Sequence, residues 1–530
     1  MKHSVEKTRP SPPQGSSSGQ RQALLIAGTI LLAIIAAELV VLLLLNEGHL
    51  VYTLDDPYIH LALAENLQQG HYGINSGESS APASSILWPV LLTPLVSLPH
   101  AEYAPLLINI VVSLLTLGLF WRILVASLPM RDDRRNRTVI AILLVALAFA
   151  TNLVGLVFVG MEHSLQVLSV AAIVWGLIVE MKEGRVIPLL LIAIVMAPLV
   201  RYESTGMALA ALLFLLLRRH SGTALVLTGI VALLLVGFSL FLLYLGLDPL
   251  PSSVEMKSPV AAGVGAHLME NLRDRKGLLL AYGLLGFLYY ALFSGAADGK
   301  RSLASVIALA ILLHLLGGTF SGYNRYEIYL WCAMLLAVLH CGGPVLGKWL
   351  DAPERNLSRI ALLAGLPLIL TCSAYFYALV TLPLASNNIY EQHYQMHRFA
   401  VEYYGKPVGV NDIGYVSFRN DSYVLDLWGL TSQRTLALRE GSSSPEWLND
   451  LAREHDVHFA MIYDAWFPQL PQNWMKIGEL HLGKRGITPA GAAVAFYALD
   501  TTTYAALLPR IHAFQQNLPV GTRFILRNSR

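Results

Sequence analysis

The sequence predicts a polytopic α-helical membrane protein of about eleven transmembrane helices with a C-terminal α/β domain. Three observations predict it. Of 530 residues, 55% are hydrophobic and 14% charged, where an ordinary soluble domain has about 45–50% and about 25%. Apolar runs approaching the ~20 residues that cross a hydrocarbon layer of ~30 Å recur through the first 385 positions. From residue 386 the composition becomes that of a water-soluble domain. A net charge of +2 provides no field to recruit polyanions, so nucleic acid is not an expected partner. Cys332, Cys341 and Cys372 lie in or beside apolar runs; they lack metal-ligand spacing, and an odd number makes no disulfide framework.

Residues 1–22 carry Lys2, Lys7, Arg9 and Arg21 among Pro, Ser and Gly and read as a disordered cytoplasmic tail. The run 23–45 has no small-residue cleavage site and reads as an uncleaved anchor. Further runs cover 104–128, 138–159, 165–181, 186–200, 206–217, 224–246, 277–294, 302–316, 328–346 and 357–382. The stretch 85–98 is short and contains Pro89 and Pro94, which suits a re-entrant or interfacial helix. The membrane module is therefore 23–385, with a first outer loop at 46–85. Basic loops at 131–137, 182–185, 218–219, 300–301 and 348–359 belong in the cytoplasm by the Lys/Arg bias of short loops. The segment 46–82 has no Lys or Arg and falls outside, as do the loops at Arg201, 248–276 and 321–325 and everything after 384. Lys257, Arg273, Arg275 and Lys276 break the bias in the 248–276 loop and invite a functional explanation. Residues 386–530 show strand-like runs at 407–411, 422–427, 458–463 and 494–499 and helix-like runs at 390–404, 445–455 and 504–515, the alternation of a small α/β domain.

The candidate chemistry lies in polar clusters that this topology brings to the outer side. Asp55 and Asp56 precede Pro57; Asp56 before Pro suits a helix start, and Ile59, Leu63 and Leu67 give the helix one apolar face, suited to the membrane surface. As a pair, Asp55 and Asp56 are candidates to take a proton from an alcohol or to hold a divalent cation. Glu162 and His163 are ionisable groups near membrane depth. Arg201 and Glu203 either pair with each other or present Arg201 to a phosphate. Lys257, in the loop after Asp248, Pro249 and Pro251, is a point charge suited to phosphate, and Arg325 and Tyr326 precede the span at 328.

In order along the chain, Asp55-Asp-Pro-Tyr-Ile59, Gly160-Met-Glu-His163, Arg201-Tyr-Glu203, Leu250-Pro-Ser-Ser-Val-Glu-Met-Lys257 and Asn324-Arg-Tyr326 resemble the motifs of bacterial GT-C glycosyltransferases, nearest the arabinofuranosyltransferase-like branch. The likeness covers 50–330 and reaches more loosely to Asn411-Asp-Ile-Gly414 and Leu425-Asp-Leu-Trp-Gly-Leu430. His163, Tyr202 and Ser252 stand where that family has Thr, Pro and Asn. The resemblance implies a bacterial inner-membrane enzyme. Its site and C-terminal domain would be periplasmic, and it would move a sugar from a polyprenyl-phosphate donor to a glycan, lipid or protein acceptor, with inversion. On that reading Asp55 or Asp56 is the base, and Arg201, Lys257 and Arg325 stabilise the departing phosphate. Glu162 or His163 orients the acceptor or binds metal, and Trp428, Trp447 and Trp466 offer stacking surfaces for glycan. The rival reading is a transporter or flippase, which would show repeated halves and helices broken at mid-membrane.

Overall fold

The computed structural model describes residues 18–128, 134–256, 263–320, 323–351 and 372–527. Eight helices among them are long and apolar enough to cross a membrane: Gly19–Leu45, Ala101–Ser127, Asn136–Val159, His163–Glu183, Ser221–Tyr244, Arg275–Phe293, Asp298–Gly317 and Ile328–Lys348. Two shorter apolar helices, Pro188–Val200 and Tyr202–Leu217, pack among them. The chain is a multi-pass membrane protein. Residues 1–17 of the expected tail lie outside the described residues, as does most of the run 357–382, whose described end forms the helix Ser373–Val380. On Ser221–Tyr244, Leu225, Leu233, Val236 and Leu240 are exposed. A helix apolar on its outward face suits lipid rather than water.

The sequence places special residues where the bundle turns. The helix pair Arg134–Ala150 and Leu153–Val159 is broken at Asn152, whose φ is +49°. It ends on Gly160 at φ +70°, where a Cβ would lie 2.5 Å from the Tyr52 ring. Only glycine satisfies both the left-handed backbone and that approach. Tyr52 is fixed in turn, donating to the Glu102 carbonyl at 2.6 Å and accepting from the Leu106 N–H at 3.0 Å.

The C-terminal α/β domain carries a six-stranded mixed sheet in the order β2-β1-β3-β5-β4-β6: β1 Val408–Val410, β2 Val424–Asp426, β3 Phe459–Ile462, β4 Met475–His481, β5 Ala493–Ala498 and β6 Arg523–Leu526. β1 runs parallel to both β2 and β3, with Val408 opposite Val424 and Gly409 opposite Ala460. The β3–β5, β5–β4 and β4–β6 pairs are antiparallel. One face packs through Phe459, Phe496 and Met461 against Phe399 and Phe514. The other packs through Ala460, Ile462 and Ala495 against Leu448 and Leu451. The run 390–404 is helical but opens into two π-helical turns, Tyr390–Tyr404 being interrupted by one α-turn at Gln395–Arg398. Trp428 and Trp466 pack on each other with ring centroids 4.5 Å apart, and the Arg439 guanidinium covers Trp428 at 3.9 Å. These rings are partly spent on the domain's own packing.

Direct hydrogen bonds sew the domain to the bundle. Asn46 donates to Ser386 Oγ at 2.8 Å, and Asn387 donates to the Leu45 carbonyl at 2.9 Å. Asn75 exchanges two bonds of 2.9 Å with the Val424 backbone, extending the β2 edge by a side chain. Ser252 donates to the Ala81 carbonyl at 3.1 Å and also reaches the Leu430 carbonyl.

The expectation for the helix Asp56–Gln68 changes. The helix Asp56–Gln68 does not lie half-exposed on a membrane surface: Pro57 through Ala64 are all buried. The short helix Gly414–Ser417 and the aromatic rings of Tyr415 and Phe418 close the side that the polar residues were expected to leave open. The N-cap position of Asp56–Gln68 is Asp55 rather than the expected Asp56, and the Asp55 side chain makes no cap bond. The stretch 85–98 becomes a single short helix, Leu87–Leu92, running into a 3₁₀ turn at Thr93–Leu95.

Candidate functional site

The loops at 52–56, 160–163, 201–204 and 323–327 meet at one end of the bundle, the end covered by the α/β domain. The arrangement starts from Arg201, a guanidinium that is almost fully buried. It donates bidentately to Glu203, Nε–Oε2 at 3.1 Å and Nη2–Oε1 at 2.6 Å, and through Nη1 to Glu162 Oε1 at 2.7 Å. Ser84 also donates to Glu162 Oε1 at 3.1 Å. His60 Nε2 stands 3.7 Å from Glu162 Oε2. Burial pulls the His60 ring below the ordinary imidazole range, against the raising influence of Glu162. A neutral imidazole therefore backs the ion-pair network.

Arg325 is the second buried guanidinium. It ion-pairs with Asp56 through Nη2 and donates to Met161 Sδ at 3.0 Å through Nη1. The Tyr326 ring links the two arginines. The Arg201 carbon lies 4.9 Å and the Arg325 carbon 5.2 Å from its centroid, within the range of cation–π attraction, and the His163 ring stacks at 6.1 Å. Beneath them, Lys276 pairs with buried Glu327 at 2.9 Å, and Tyr375 donates to the same carboxylate at 3.0 Å.

Of the residues predicted from sequence, Asp56, Glu162, His163, Arg201, Glu203, Arg325 and Tyr326 thus form one constellation. Lys257 lies outside the described residues. Asp55 and Asp56 take different partners. The Asp56 side chain is 41% exposed. The Asp55 side chain is buried and accepts the Gly414 and Tyr415 N–H groups on its two oxygens, each at 2.7 Å. Gly414 is required there, since a Cβ would fall 2.2 Å from the Asp55 carbonyl oxygen.

Around Asp55 gather two residues that the sequence reading passed over, His393 and Asp412. His393 Nε2 lies 3.0 Å from Asp412 Oδ2. Among the described residues, Asp55, His393 and Asp412 are a group able to present three ligand atoms mutually within 4.8 Å. Burial raises the Asp55 carboxyl to about 7; His393 and the Tyr415 N–H oppose the rise, while Asp412 and Asp56 add to it. The one trace of this group in the sequence was Asn411-Asp-Ile-Gly414, which contains both Asp412 and the glycine that receives Asp55. The neighbouring Leu425-Asp-Leu-Trp-Gly-Leu430 has a structural role: Asp426 accepts N–H bonds from Trp428, Gly429 and Thr431 at 2.8, 2.9 and 2.6 Å and closes that turn.

Residues 387–497 match a family described as a domain of unknown function (DUF8728). No curated protein matches the chain. Among solved structures it is similar to the arabinofuranosyltransferase AftD from Mycobacteria, at 14% identity and a TM-score of 0.45, with 92% of this chain and 42% of that one covered. The chain thus spans less than half the length of that protein. It is also similar to the Archaeoglobus fulgidus oligosaccharyltransferase in a complex with Zn and sulfate, at 11% identity and a TM-score of 0.46, covering 97% of this chain and 75% of that one. A third similar structure is the archaeal oligosaccharyltransferase AglB from the same organism, with an inhibitory peptide and a dolichol-phosphate, at 12% identity and a TM-score of 0.42, covering 94% and 76%.

Proposed function

We propose that this protein is a GT-C-type glycosyltransferase of a bacterial inner membrane. It transfers a sugar from a polyprenyl-phosphate donor to a hydroxyl of a cell-envelope glycan, lipid or protein, on the periplasmic face and with inversion. The observation that carries this reading is the Asp56–Arg325 pair. A half-exposed carboxylate is held by a buried guanidinium at the end of the bundle covered by the α/β domain; on this reading the lipid donor arrives there from the bilayer and the acceptor from water.

The chemistry follows from charge. An arriving phosphate is a better partner for Arg325 than a single carboxylate, because guanidinium–phosphate pairs are charge-assisted and geometrically matched. Exchange of Arg325 from Asp56 to the phosphate frees Asp56 to accept the acceptor proton as the hydroxyl attacks the anomeric carbon. The bond from that carbon to the phosphate oxygen breaks, and the leaving phosphate keeps its electron pair beside Arg325. Arg201 is saturated by Glu162 and Glu203. Its role is to hold Tyr326 and, through it, Arg325. Asp55, with both oxygens engaged, positions the loop rather than moving a proton.

The test is transfer of a fluorescent polyprenyl-phosphosugar in proteoliposomes by Asp56→Asn and Asp55→Asn. Asp56→Asn should lose roughly 10²–10⁴-fold in turnover, the usual worth of a general base, while still binding donor. Full transfer by Asp56→Asn would overturn the assignment. Movement of intact donor across the bilayer without sugar transfer would favour the flippase.

A further inference from the structure

We infer that Asp55, His393 and Asp412 form a divalent-cation site that clamps the α/β domain onto the loop carrying Asp56. The inference deepens the proposed function where it assigns the cation a positioning role; cation binding itself does not depend on that function.

The three ligands come from separate parts of the chain: the residue before the helix Asp56–Gln68, the π-turn that leads from the bundle into the domain, and the loop after β1. Their ligand atoms lie within 4.8 Å of one another. Ligands bound at about 2.0–2.2 Å to one ion stand roughly 3–3.5 Å apart, so closure needs only a modest inward shift of side chains. Two carboxylates and one imidazole suit Mn²⁺ or Zn²⁺ better than a soft, thiolate-seeking ion. Each Asp55 oxygen spends one acceptor position on a backbone N–H and keeps a second for a metal. His393 is 1% exposed, and its Nδ1 has no hydrogen-bond partner, so the ring is oriented from its carboxylate side. Asp412, 29% exposed, leaves a way in for the ion and for water to complete its shell. The site does not include Asp56, so the cation does not touch the reacting atoms. It fixes the backbone from which Asp56 projects.

The experiment uses the full chain in nanodiscs, stripped with chelator and titrated with Mn²⁺, Zn²⁺ and Mg²⁺. Metal content, Tm and the electron-nuclear spectrum of bound Mn²⁺ are read. One equivalent of Mn²⁺ or Zn²⁺ should bind, raise Tm and show nitrogen coupling to the spin. His393→Gln should abolish the nitrogen coupling and weaken binding at least tenfold. Asp412→Asn, isosteric and partly exposed, should weaken binding to the same degree in a folded protein. The inference falls if the wild type binds no stoichiometric cation, or if both variants bind it as tightly. Asp56→Asn keeps the two readings apart. It should still bind the cation, so lost transfer with intact binding touches the catalytic reading alone, while absent binding with intact transfer removes the clamp alone.

Discussion

Arg201 is the residue on which the site's electrostatics turn. Glu162 has essentially no exposure, and its nearest cation is Arg201 at 2.7 Å. Arg201→Met should therefore cost about 3–5 kcal/mol, because it strands a buried carboxylate. Adding Glu162→Gln should recover much of that loss. Thermal unfolding of the purified variants checks both outcomes. His60 gives a pH signature. Its ring is held below the ordinary imidazole range by burial, so the unfolded chain binds the extra proton first as pH falls. Stability should be fully present above about 6.5 and decline as pH drops from there toward the lowered folded value. His60→Gln should flatten that part of the Tm-against-pH curve. These roles were partly legible. Ionisable side chains at span ends marked Glu162, Arg201 and Arg325. His60 was not marked, because one imidazole inside an apolar helix carries no local signal of the carboxylate it will face.

At the scale of elements, the helix Asp56–Gln68 shows what periodicity can and cannot say. Asp-Pro at its start and apolar residues four apart gave its existence and, to within one residue, its start. Its second cover, Gly414–Ser417, lies some 350 residues away, and no local pattern announces it. Gly414→Ala would drive a methyl into the Asp55 backbone and carboxylate, with contacts of 2.2 and 2.4 Å. Hydrogen exchange in residues 56–64 should then rise by at least tenfold while the transmembrane helices stay protected. The sheet was legible to the same partial degree. β3 and β5 carry Phe459, Ile462, Val494, Phe496 and Tyr497, and Val408, Val410 and Val424 mark the short β1 and β2. β4 was missed because Lys476, Glu479 and His481 leave it few apolar strand formers, and its register slips between Lys476 and Gly478. β6 is four residues long and sits at the sheet edge.

For the whole molecule, the boundary near residue 386 was visible as a change of composition, yet the contacts across it were not. Asn46, Val51, Asn75 and Ala81 of the first loop region all bond to the domain or to the Ser252 loop, so bundle and domain share one polar seam above the site. Asn75→Ala removes both of its bonds to Val424 and should loosen that seam. The expected result is faster proteolysis between the first loop and β2 and a raised acceptor KM, with little change in donor affinity. The measurement that bears most directly on the enzyme reading is a cryo-EM map of the protein in nanodiscs with a polyprenyl phosphate bound. The phosphate is expected against the Arg325 guanidinium, with the Asp56 carboxylate released from it and turned toward solvent. Phosphate density at the opposite end of the bundle, with Arg325 still paired to Asp56, would contradict it.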